Sequence, residues 1–339
     1  MKTDPAKKDS LKTLAFAVLA VLIPLILVEL IFRALFYFDV FKFTKSMKAE
    51  PLHRYSEIPA LVYEMKPSFT FKDFHGVVRT NSFGMRGDEY TMEKPAGVYR
   101  ICVIGDSVAF GMYLPTEETF AYLLEGNLNS KLGKRFEILN FSVAGYNASQ
   151  EKIVLKEKVL RFKPDIVIVS FCPNDDTYTD GLGKMSRAFS PFSIGNKLHS
   201  RAIGYLMHSL EKSVFSKMVD MGQVEDLLGE LARESRKNGF EALVLLIPYN
   251  YQKEYTEKKK HATVRDFAQR EKLPYLDFFK AWQDTGSETR KDFYLEDDIV
   301  HLSSLGMRKV ADGIYEYIAE HFKGGTGMPA ARLETQASK

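Results

Sequence analysis

The sequence predicts an α/β fold built on a central parallel sheet, with one apolar helix in front of it. The first observation behind this prediction is that short apolar runs alternate with longer segments of helical spacing over residues 99–322. That alternation is typical of a parallel sheet with helices on both faces. The second is that residues 165–171 are almost wholly apolar, as the centre of such a sheet requires. The third is a nearly uncharged stretch over residues 13–33, which predicts a separate membrane segment.

The composition excludes several other classes of protein. The chain has 339 residues, with 47 Lys and Arg against 44 Asp and Glu, so the net charge is only +3. Proteins that bind nucleic acid usually carry a larger basic excess, so we expect no nucleic-acid partner. The two cysteines, Cys102 and Cys172, can form neither a disulfide framework nor a four-cysteine zinc site.

The N-terminal region predicts a short tail, residues 1–12, followed by a transmembrane signal anchor, residues 13–33. Between Thr13 and Phe32 only Glu29 is charged. About 20 apolar residues with a rise of ~1.5 Å each cross a hydrocarbon core of ~30 Å. Bulky residues follow the run where a signal peptidase would need small ones, so we expect the segment to stay attached.

The basic residues around this segment do not decide its orientation. Four Lys or Arg residues precede it, and four more stand at its last position or shortly beyond, so the positive-inside rule gives no preference. A tail of 12 residues stays easily in the cytoplasm. We therefore expect the domain that follows to lie on the extracytoplasmic side of the membrane, periplasmic or extracellular.

Residues 34–98 are predicted to form a linker and an irregular lead-in. Prolines recur through this region and interrupt any long helix or strand. The segment from Asn81 to Gly87, N-S-F-G-M-R-G, is rich in turn formers, and we hypothesise that it docks on the domain that follows. Its Arg86 is interpreted as a surface salt-bridge residue rather than a contact to an anionic substrate.

The domain over residues 99–322 is predicted from its strands and helices in chain order. Strands are expected at residues 100–104, 136–141, 165–171, 240–248 and 274–278. Helices are expected at residues 120–132, 150–161, 224–238, 256–272 and 303–322. Residues 175–221 break this alternation as a predicted insert. Residues 323–339 are rich in Gly, Pro, Ala and polar residues and are predicted to be a disordered tail.

Four polar clusters follow the predicted strands. They are G-D-S-V-A-F-G at 105–111, N-F-S-V-A-G-Y at 140–146, C-P-N-D-D at 172–176 and D-D-I-V-H-L-S-S-L-G at 297–306. The carboxyl ends of parallel strands lie at one edge of the sheet, where ligands bind in folds of this class. We therefore expect these four clusters to converge on one site.

The clusters contain the residue types of acyl-transfer catalysis. Ser107 lies at a strand-to-helix turn, and a serine becomes a nucleophile when a base accepts its proton. His301 is the candidate base, and Asp298, three residues earlier, is the candidate that orients its imidazole. Asp297 is the rival for that last role, and the spacing favours Asp298.

Three groups are candidates for stabilising a developing oxyanion. They are the backbone N–H of Ser107, the backbone N–H of Gly145 and the side-chain amide of Asn174. Asp106 and Asp175 are interpreted as turn residues rather than catalysts. No metal site is predicted, and no organic cofactor is expected.

The insert over residues 175–221 directly follows the cluster that contains Asn174, which is the right place for a lid. We hypothesise that it covers the site. Several apolar residues in it are candidates for lining an acyl pocket: Phe189, Phe192, Tyr205, Met207 and Phe215.

Taken together, G-D-S after the first strand, a glycine after the second, N-D after the third and D-x-x-H before the last helix resemble the SGNH (GDSL-type) hydrolase family. The resemblance covers residues 81–322. It implies a three-layer, flavodoxin-like sandwich with a five-stranded parallel sheet, and ester hydrolysis without a cofactor. The roles that it implies are Ser107 as nucleophile, His301 as base, Asp298 as its orienter, and Gly145 and Asn174 as oxyanion donors.

Two features refine this resemblance. The anchored form, with its turn-rich segment ahead of the first strand, resembles a membrane-anchored bacterial subgroup of the family. Cys172 stands where the family commonly has the glycine of G-x-N-D, and this departure bears on the substrate class more than on the reaction.

The expected function is therefore that of a membrane-anchored serine ester hydrolase of the esterase, lipase or deacetylase type. The expected substrate is an acyl ester near the membrane, either an O-acetyl group on an envelope glycan or a lipid acyl chain. An O-acyltransferase with the same triad is the first alternative, since the sequence does not reveal which hydroxyl accepts the acyl group. A non-catalytic anchored binding protein is the second alternative, and the joint presence of Ser107, Asp298 and His301 argues against it.

Overall fold

The structure, a computed structural model of the chain, describes residues 5–37, 52–58, 61, 63–73, 76–133, 135–173, 175, 221–250, 259–283 and 285–323. The chain divides into two compact units, one with residues 1–50 and 182–214 and the other with residues 51–181 and 215–339. Almost all of the predicted insert and of the predicted C-terminal tail lies outside the described residues.

The described part of the second unit contains a parallel sheet and, before it, four short strands. The short strands are β1 (His53–Tyr55), β2 (Tyr63–Met65), β3 (Thr70–Asp73) and β4 (Gly76–Arg79). The strands of the sheet are β5 (Val98–Gly105), β6 (Arg135–Asn140), β7 (Ile166–Phe171), β8 (Glu241–Leu246) and β9 (Tyr275–Asp277). They run parallel in the order β6-β5-β7-β8-β9. The predicted α/β fold with a five-stranded parallel sheet is thus confirmed.

Each unit contains at least one helix, and those of the second unit connect the strands of its sheet and cover it. The first unit contributes α1 (Pro5–Tyr37), and the second contributes α2 (Ser107–Phe110), α3 (Phe120–Lys131), α4 (Ala148–Glu157), α5 (Met221–Asn238), α6 (Lys259–Glu271), α7 (Phe278–Ala281), α8 (Ser287–Lys291) and α9 (Ser304–Lys323). Helices α3 and α9 pack against each other, and α5 contacts both α4 and α6. The sheet therefore lies between two helical layers.

Burial of both faces explains why the strands are continuous apolar runs. Successive side chains of a strand point to opposite faces of the sheet. Ile101 and Val103 of β5 belong to the apolar cluster that includes side chains of α3 and α9, while Cys102 and Ile104 between them are buried as well. Burying one large apolar side chain contributes about 1.5–3 kcal/mol relative to leaving it in water.

The register of the sheet brings three of the predicted polar clusters to one edge. Gly105 at the end of β5 pairs with Ser170 of β7, and Val103 pairs with Asn140 at the end of β6. Because the strands are parallel, the segments that follow Gly105, Asn140 and Phe171 begin beside one another.

The lead-in is more regular than its sequence predicts. Strands β1 and β2 form one antiparallel pair, and β3 and β4 form another. Each strand has only three or four residues. The prolines exclude long helices and strands, but strands of three or four residues fit between them. Residue preferences averaged over a longer stretch of sequence do not detect strands this short.

The turn-rich segment docks on the main domain. The Asn81 side chain organises it, since its Oδ1 accepts hydrogen bonds from the N–H groups of Phe83 and Met85, both at 3.0 Å. Gly84 has a φ of 80°, and a Cβ there would lie 2.8 Å from the carbonyl oxygen of Met65, so the turn needs glycine. At its end, the N–H of Arg86 donates to the carbonyl of Asn140, 3.2 Å away.

Helix α1 begins at Pro5, inside the predicted tail (residues 1–12), and continues through the whole predicted span (residues 13–33). Many of its large apolar side chains between Phe16 and Ile31 are exposed. In the part of the chain that the structure describes, we find no helix with both the length and the apolar character that a membrane crossing requires. The predicted transmembrane helix is therefore not confirmed.

Candidate active site

Ser107 begins helix α2 directly after β5, as the sequence predicts. Asp106 caps this short helix, because its Oδ1 accepts a hydrogen bond of 2.8 Å from the N–H of Val108. At Gly105 a Cβ would lie 2.6 Å from the Cβ of Ala109 and 3.2 Å from that of Ser170. Glycine at this position therefore lets the helix start immediately beside β7, and it sets Ser107 at the edge of the sheet.

The fold brings His301 to Ser107 across 194 positions of sequence. The imidazole Nε2 lies 3.0 Å from the Ser107 Oγ, and Nδ1 lies 2.7 Å from the Asp298 Oδ2. With Nδ1 protonated and donating to the carboxylate, Nε2 is left as an acceptor that faces the serine hydroxyl. This arrangement can move a proton from Ser107 to His301.

Asp298 is the carboxylate that contacts the imidazole, and it also holds the loop that carries it. Its Oδ1 accepts hydrogen bonds from the N–H groups of Val300, at 2.7 Å, and His301, at 3.0 Å. Partial burial raises the pKa of Asp298, but the hydrogen bonds from His301 and Val300 outweigh burial, and the net pKa lies below its usual value. Asp298 is thus ionised at neutral pH. Its rival, Asp297, is exposed.

The predicted oxyanion donors are described only in part. Gly145 follows β6 in a left-handed conformation with a φ of 85°. The loop that leads to it is tied to β5, since the N–H of Val143 donates to the carbonyl of Gly105 at 3.1 Å. Asn174 lies outside the described residues, and so do the five predicted pocket residues of the insert.

Around Asn174, the structure describes its neighbours Cys172 and Asp175. The Asp175 Oδ2 accepts a hydrogen bond of 2.7 Å from the N–H of Cys172, so Asp175 is a turn residue, as predicted. The Cys172 side chain is fully buried, and burial followed by the charges of Asp106 and Asp175 raises the pKa of its thiol well above the usual value. Cys172 therefore acts as a small apolar group and not as a thiolate.

A buried carboxyl group that the sequence analysis missed lies near Asp106. Glu151 of α4 is fully buried, and neither of its carboxyl oxygens has a hydrogen-bond partner among the described residues. Burial, followed by the charge of Asp106, raises the pKa of Glu151 well above its usual value. This raised pKa favours the neutral acid at a position close to Asp106, the residue that caps the helix of Ser107. Over the described residues, no three His, Cys, Asp or Glu side chains are grouped so that they could hold a metal ion.

Tyr113 is a second residue that the sequence analysis missed. Its ring lies edge-on against the imidazole of His301, with the ring centroids 5.1 Å apart and the planes at 86°. Its backbone has a φ of 65°, which is uncommon for a residue with a large side chain. No local pattern marks this position, because the contact joins two residues from distant parts of the chain.

The structure corrects the interpretation of Arg86. Its side chain is not on the surface, since only 3% of the residue is exposed. The guanidinium donates hydrogen bonds to the carbonyl groups of Phe110, Gly111 and Leu114. Burial lowers the pKa of Arg86 to about 9, and the group remains cationic at neutral pH. Arg86 thus binds the end of α2 instead of a surface carboxylate or a substrate.

Comparisons with known proteins give a family and several similar solved structures. The model of the GDSL-like Lipase/Acylhydrolase family matches residues 103–309. A comparison with curated proteins gives no match. Similar solved structures include TesA, with 17% identity, a TM-score of 0.44, and coverage of 65% of this chain and 98% of that one.

Two further solved structures are similar to a comparable extent. One is LAE5, an α/β hydrolase enzyme from the metagenome of Lake Arreo in Spain, with 15% identity, a TM-score of 0.45, and coverage of 65% of this chain and 95% of that one. The other is Axe2, an acetylxylan esterase from Geobacillus stearothermophilus, with 17% identity, a TM-score of 0.44, and coverage of 66% and 95%.

Proposed function

This chain belongs to the GDSL-like lipase/acylhydrolase family and is an ester-hydrolysing enzyme, and from that premise we propose that it cleaves acyl esters through a covalent acyl-enzyme on Ser107. One observation carries the proposal: His301 lies between Ser107 and Asp298 with hydrogen-bond distances of 3.0 and 2.7 Å. A serine needs such a base to become a nucleophile, and the base needs a carboxylate that sets its tautomer.

In the first half of the reaction, Nε2 of His301 accepts the proton of Ser107 while Oγ attacks the ester carbonyl carbon. The bond to the leaving oxygen breaks, and the imidazolium gives its proton to the departing alcohol. In the second half, His301 takes a proton from water, the hydroxide attacks the acyl-enzyme, and Ser107 regains its proton as the acid leaves. Asp298 stays ionised and stabilises the imidazolium in both halves.

The oxyanion that develops on the carbonyl needs donors at the same edge of the sheet. We assign this role to the backbone N–H groups of Ser107 and Gly145 and to the side chain of Asn174. The left-handed turn at Gly145, just after β6, supports this assignment. Losing one such donor typically costs about 3–4 kcal/mol of transition-state stabilisation.

The test of the chemistry uses the full chain in detergent, a fluorophosphonate probe and p-nitrophenyl esters of short and long acyl chains. Wild type should react with the probe and turn over ester, and Ser107→Ala and His301→Ala should each lower kcat by at least about 10³-fold. Ser130→Ala and His321→Ala are matched controls outside the site, and they should remain active. Folded wild-type protein that neither reacts with the probe nor turns over any ester would refute the proposal.

The natural substrate is proposed to be an acyl ester near a membrane, either an O-acetyl group on an envelope glycan or a lipid acyl chain. The ratio of kcat/KM for acetyl and dodecanoyl esters separates the two, since only one of them fits a short acyl pocket. Adding a sugar or glycerol acceptor to the same assay tests the acyltransferase alternative. A transferase forms the new ester in preference to free acid, whereas a hydrolase does not.

We further propose that residues 13–33 attach the enzyme to a membrane as a signal anchor, with the second unit on the extracytoplasmic side. The sequence supports this, since Glu29 alone is charged between Thr13 and Phe32. The exposed apolar side chains of α1 support it too, because a surface of this kind avoids water.

Membrane attachment is tested by alkaline carbonate extraction of membranes from a bacterial host. The wild-type chain should stay in the pellet, and Leu22→Lys combined with Ile26→Lys should release it, since a charge at the centre of a span costs about 2.5–3.5 kcal/mol or more. Glu316→Lys with Glu320→Lys adds the same residues on the exposed side of α9 and is the control. A C-terminal phosphatase fusion, which is active only outside the cytoplasm, reports the side.

A further inference from the structure

The buried guanidinium of Arg86 is unusual because its described hydrogen bonds all go to backbone carbonyl groups. Nη1 lies 2.6 Å from the carbonyl oxygen of Phe110 and 2.7 Å from that of Gly111, and Nη2 bonds the carbonyl of Leu114. The guanidinium carbon also lies 4.5 Å from the centroid of the Phe110 ring. Its Nε has no hydrogen-bond partner among the described residues. A buried cation with an unused donor costs stability, so stability alone does not account for it.

The carbonyl groups that Arg86 binds belong to the turn that follows the nucleophile. The last carbonyl groups of a helix have no partner within it, and a cation at that end is favourable. The same turn bonds back to the nucleophile, since the N–H groups of Gly111 and Met112 donate to the carbonyl of Ser107 at 3.1 and 3.0 Å. Arg86 is therefore one turn of backbone away from Ser107.

The turn held by Arg86 also carries Tyr113, whose ring contacts His301. Gly111 and Leu114, on either side of Tyr113, are both bound by this one guanidinium. A non-glycine residue keeps a left-handed backbone only when its surroundings enforce it. The hydrogen bonds from Arg86 to Gly111 and Leu114 are two of the contacts that hold the backbone of Tyr113 in this conformation.

Arg86 is itself anchored to the sheet. Its own N–H donates to the carbonyl of Asn140 at 3.2 Å, and the Asn140 side chain donates to the carbonyl of Ala109 at 3.0 Å. The lead-in turn, the end of β6 and helix α2 thus form one hydrogen-bonded network behind the site.

From these contacts we propose that Arg86 is a positioning residue for the reaction: it holds the turn from Phe110 to Leu114 and thereby sets Ser107 and the Tyr113–His301 pair in their reactive geometry. The lead-in is then part of the active-site framework and not a spacer. This inference rests on the proposed ester chemistry, because it concerns the same nucleophile and base.

The test compares Arg86→Met and Arg86→Lys with Arg100→Met in the full chain. Arg100 is a matched control because it is also buried and donates hydrogen bonds to the carbonyl groups of Thr91, Met92 and Phe162 as well as to Glu137. It lies near the start of β5, at the opposite end of the strand from Ser107. At a temperature where all variants are folded, Arg86→Met should lower kcat about 10²-fold with little change in KM, which is the scale of a misplacement of about 1 Å. Arg86→Lys should recover part of this loss. Arg100→Met should lower the melting temperature and keep kcat within about twofold of wild type.

A second readout does not depend on turnover. In spectra of ¹³C-labelled histidine, the His301 ring signals should move in Arg86→Met, because the contact with the Tyr113 ring changes, and should stay in place in Arg100→Met. If Arg86→Met does not fold, kcat and the His301 signals of Arg86→Lys test the positioning role instead. An active wild type with unchanged kcat and His301 signals in the Arg86 variants would overturn the positioning role and leave ester hydrolysis intact. A folded wild type without turnover would overturn the ester chemistry instead, and the His301 signals would then decide the positioning role by themselves.

Discussion

The phenol ring of Tyr113 lies edge-on against the imidazole of His301, with centroids 5.1 Å apart, and Tyr113 holds this place with a left-handed backbone. The ring contacts the imidazole of the proposed general base, while Nε2 faces Ser107 at 3.0 Å. Backbone strain at such a position is typical of functional sites, where the surrounding contacts enforce it.

We predict that activity and stability respond oppositely at Tyr113. Glycine adopts a left-handed backbone without strain, so Tyr113→Gly should lose little stability or gain about 1 kcal/mol. It removes the ring from His301, however, and kcat should fall about tenfold because the imidazole gains freedom. Tyr113→Phe keeps the ring and should stay within about threefold of wild type. Thermal melts and steady-state kinetics measure both effects, and equal kcat values in the two variants would exclude a role for the ring.

A second prediction concerns the peptide group between Ala144 and Gly145. The hydroxyl of Tyr63, from β2 of the lead-in, donates to the carbonyl of Ala144 at 3.0 Å. That carbonyl and the N–H of Gly145 belong to one planar peptide unit, so the hydroxyl fixes the direction of a proposed oxyanion donor. Losing a hydrogen bond of this kind costs about 1 kcal/mol.

Tyr63→Phe should therefore lower kcat about fivefold with KM unchanged. Tyr317→Phe is the control, since its hydroxyl also donates to an acceptor, Glu241 Oε1 at 2.6 Å, but at the start of β8. Steady-state kinetics at several ester concentrations separate kcat from KM. The same loss of kcat in both variants would point to general destabilisation and not to the oxyanion site.

The roles of Asp298 and Asp297 are separable by the same substitution at each position. Asp298→Asn replaces the carboxylate that accepts the Nδ1 proton, favours the wrong tautomer of His301, and should lower kcat by about 10⁴-fold. Asp297→Asn should leave kcat within about twofold, because Asp297 is exposed and asparagine tolerates its φ of 56°. The measurement is ester turnover at neutral pH. A larger loss at Asp297 would reassign the orienting carboxylate.

A fourth prediction follows from the neutral acid Glu151. Because its folded-state pKa is raised, its contribution to stability is complete below about pH 4.3, the ordinary pKa of glutamate, and is lost as the pH rises toward the raised value. Glutamine has the same shape and does not titrate. The free energy of unfolding of Glu151→Gln should therefore rise relative to wild type with increasing pH, by at most about 1.4 kcal/mol per pH unit.

Urea unfolding of both proteins between pH 4 and pH 8 measures this difference. Glu316→Gln, which removes an exposed carboxylate of α9, is the control for the general effect of lost charge. A difference between Glu151→Gln and wild type that does not change over this range would show that Glu151 is not held as the neutral acid.

Much of the fold was predictable because the relevant signals are local. Alternating apolar and helical periods predict β5 to β9 and the helices between them within a few residues, since burial on two faces of a sheet imposes continuous apolar strands. The short strands β1 to β4 were not predictable in this way. Three or four residues are too few for a periodic pattern, and their pairing depends on partners elsewhere in the chain.

The sequence by itself determined which side chains could do the chemistry: Ser107 directly follows a strand, and Asp298 and His301 stand three residues apart just before the last helix. Only the tertiary structure decided that Arg86 is buried against the turn after the nucleophile and that the Tyr113 ring contacts His301. The physical reason is that the chemistry of a side chain is set by its own residue type. The contacts of Arg86 with Phe110 and of Tyr113 with His301 join residues 24 or more positions apart, and such contacts form only when the chain packs.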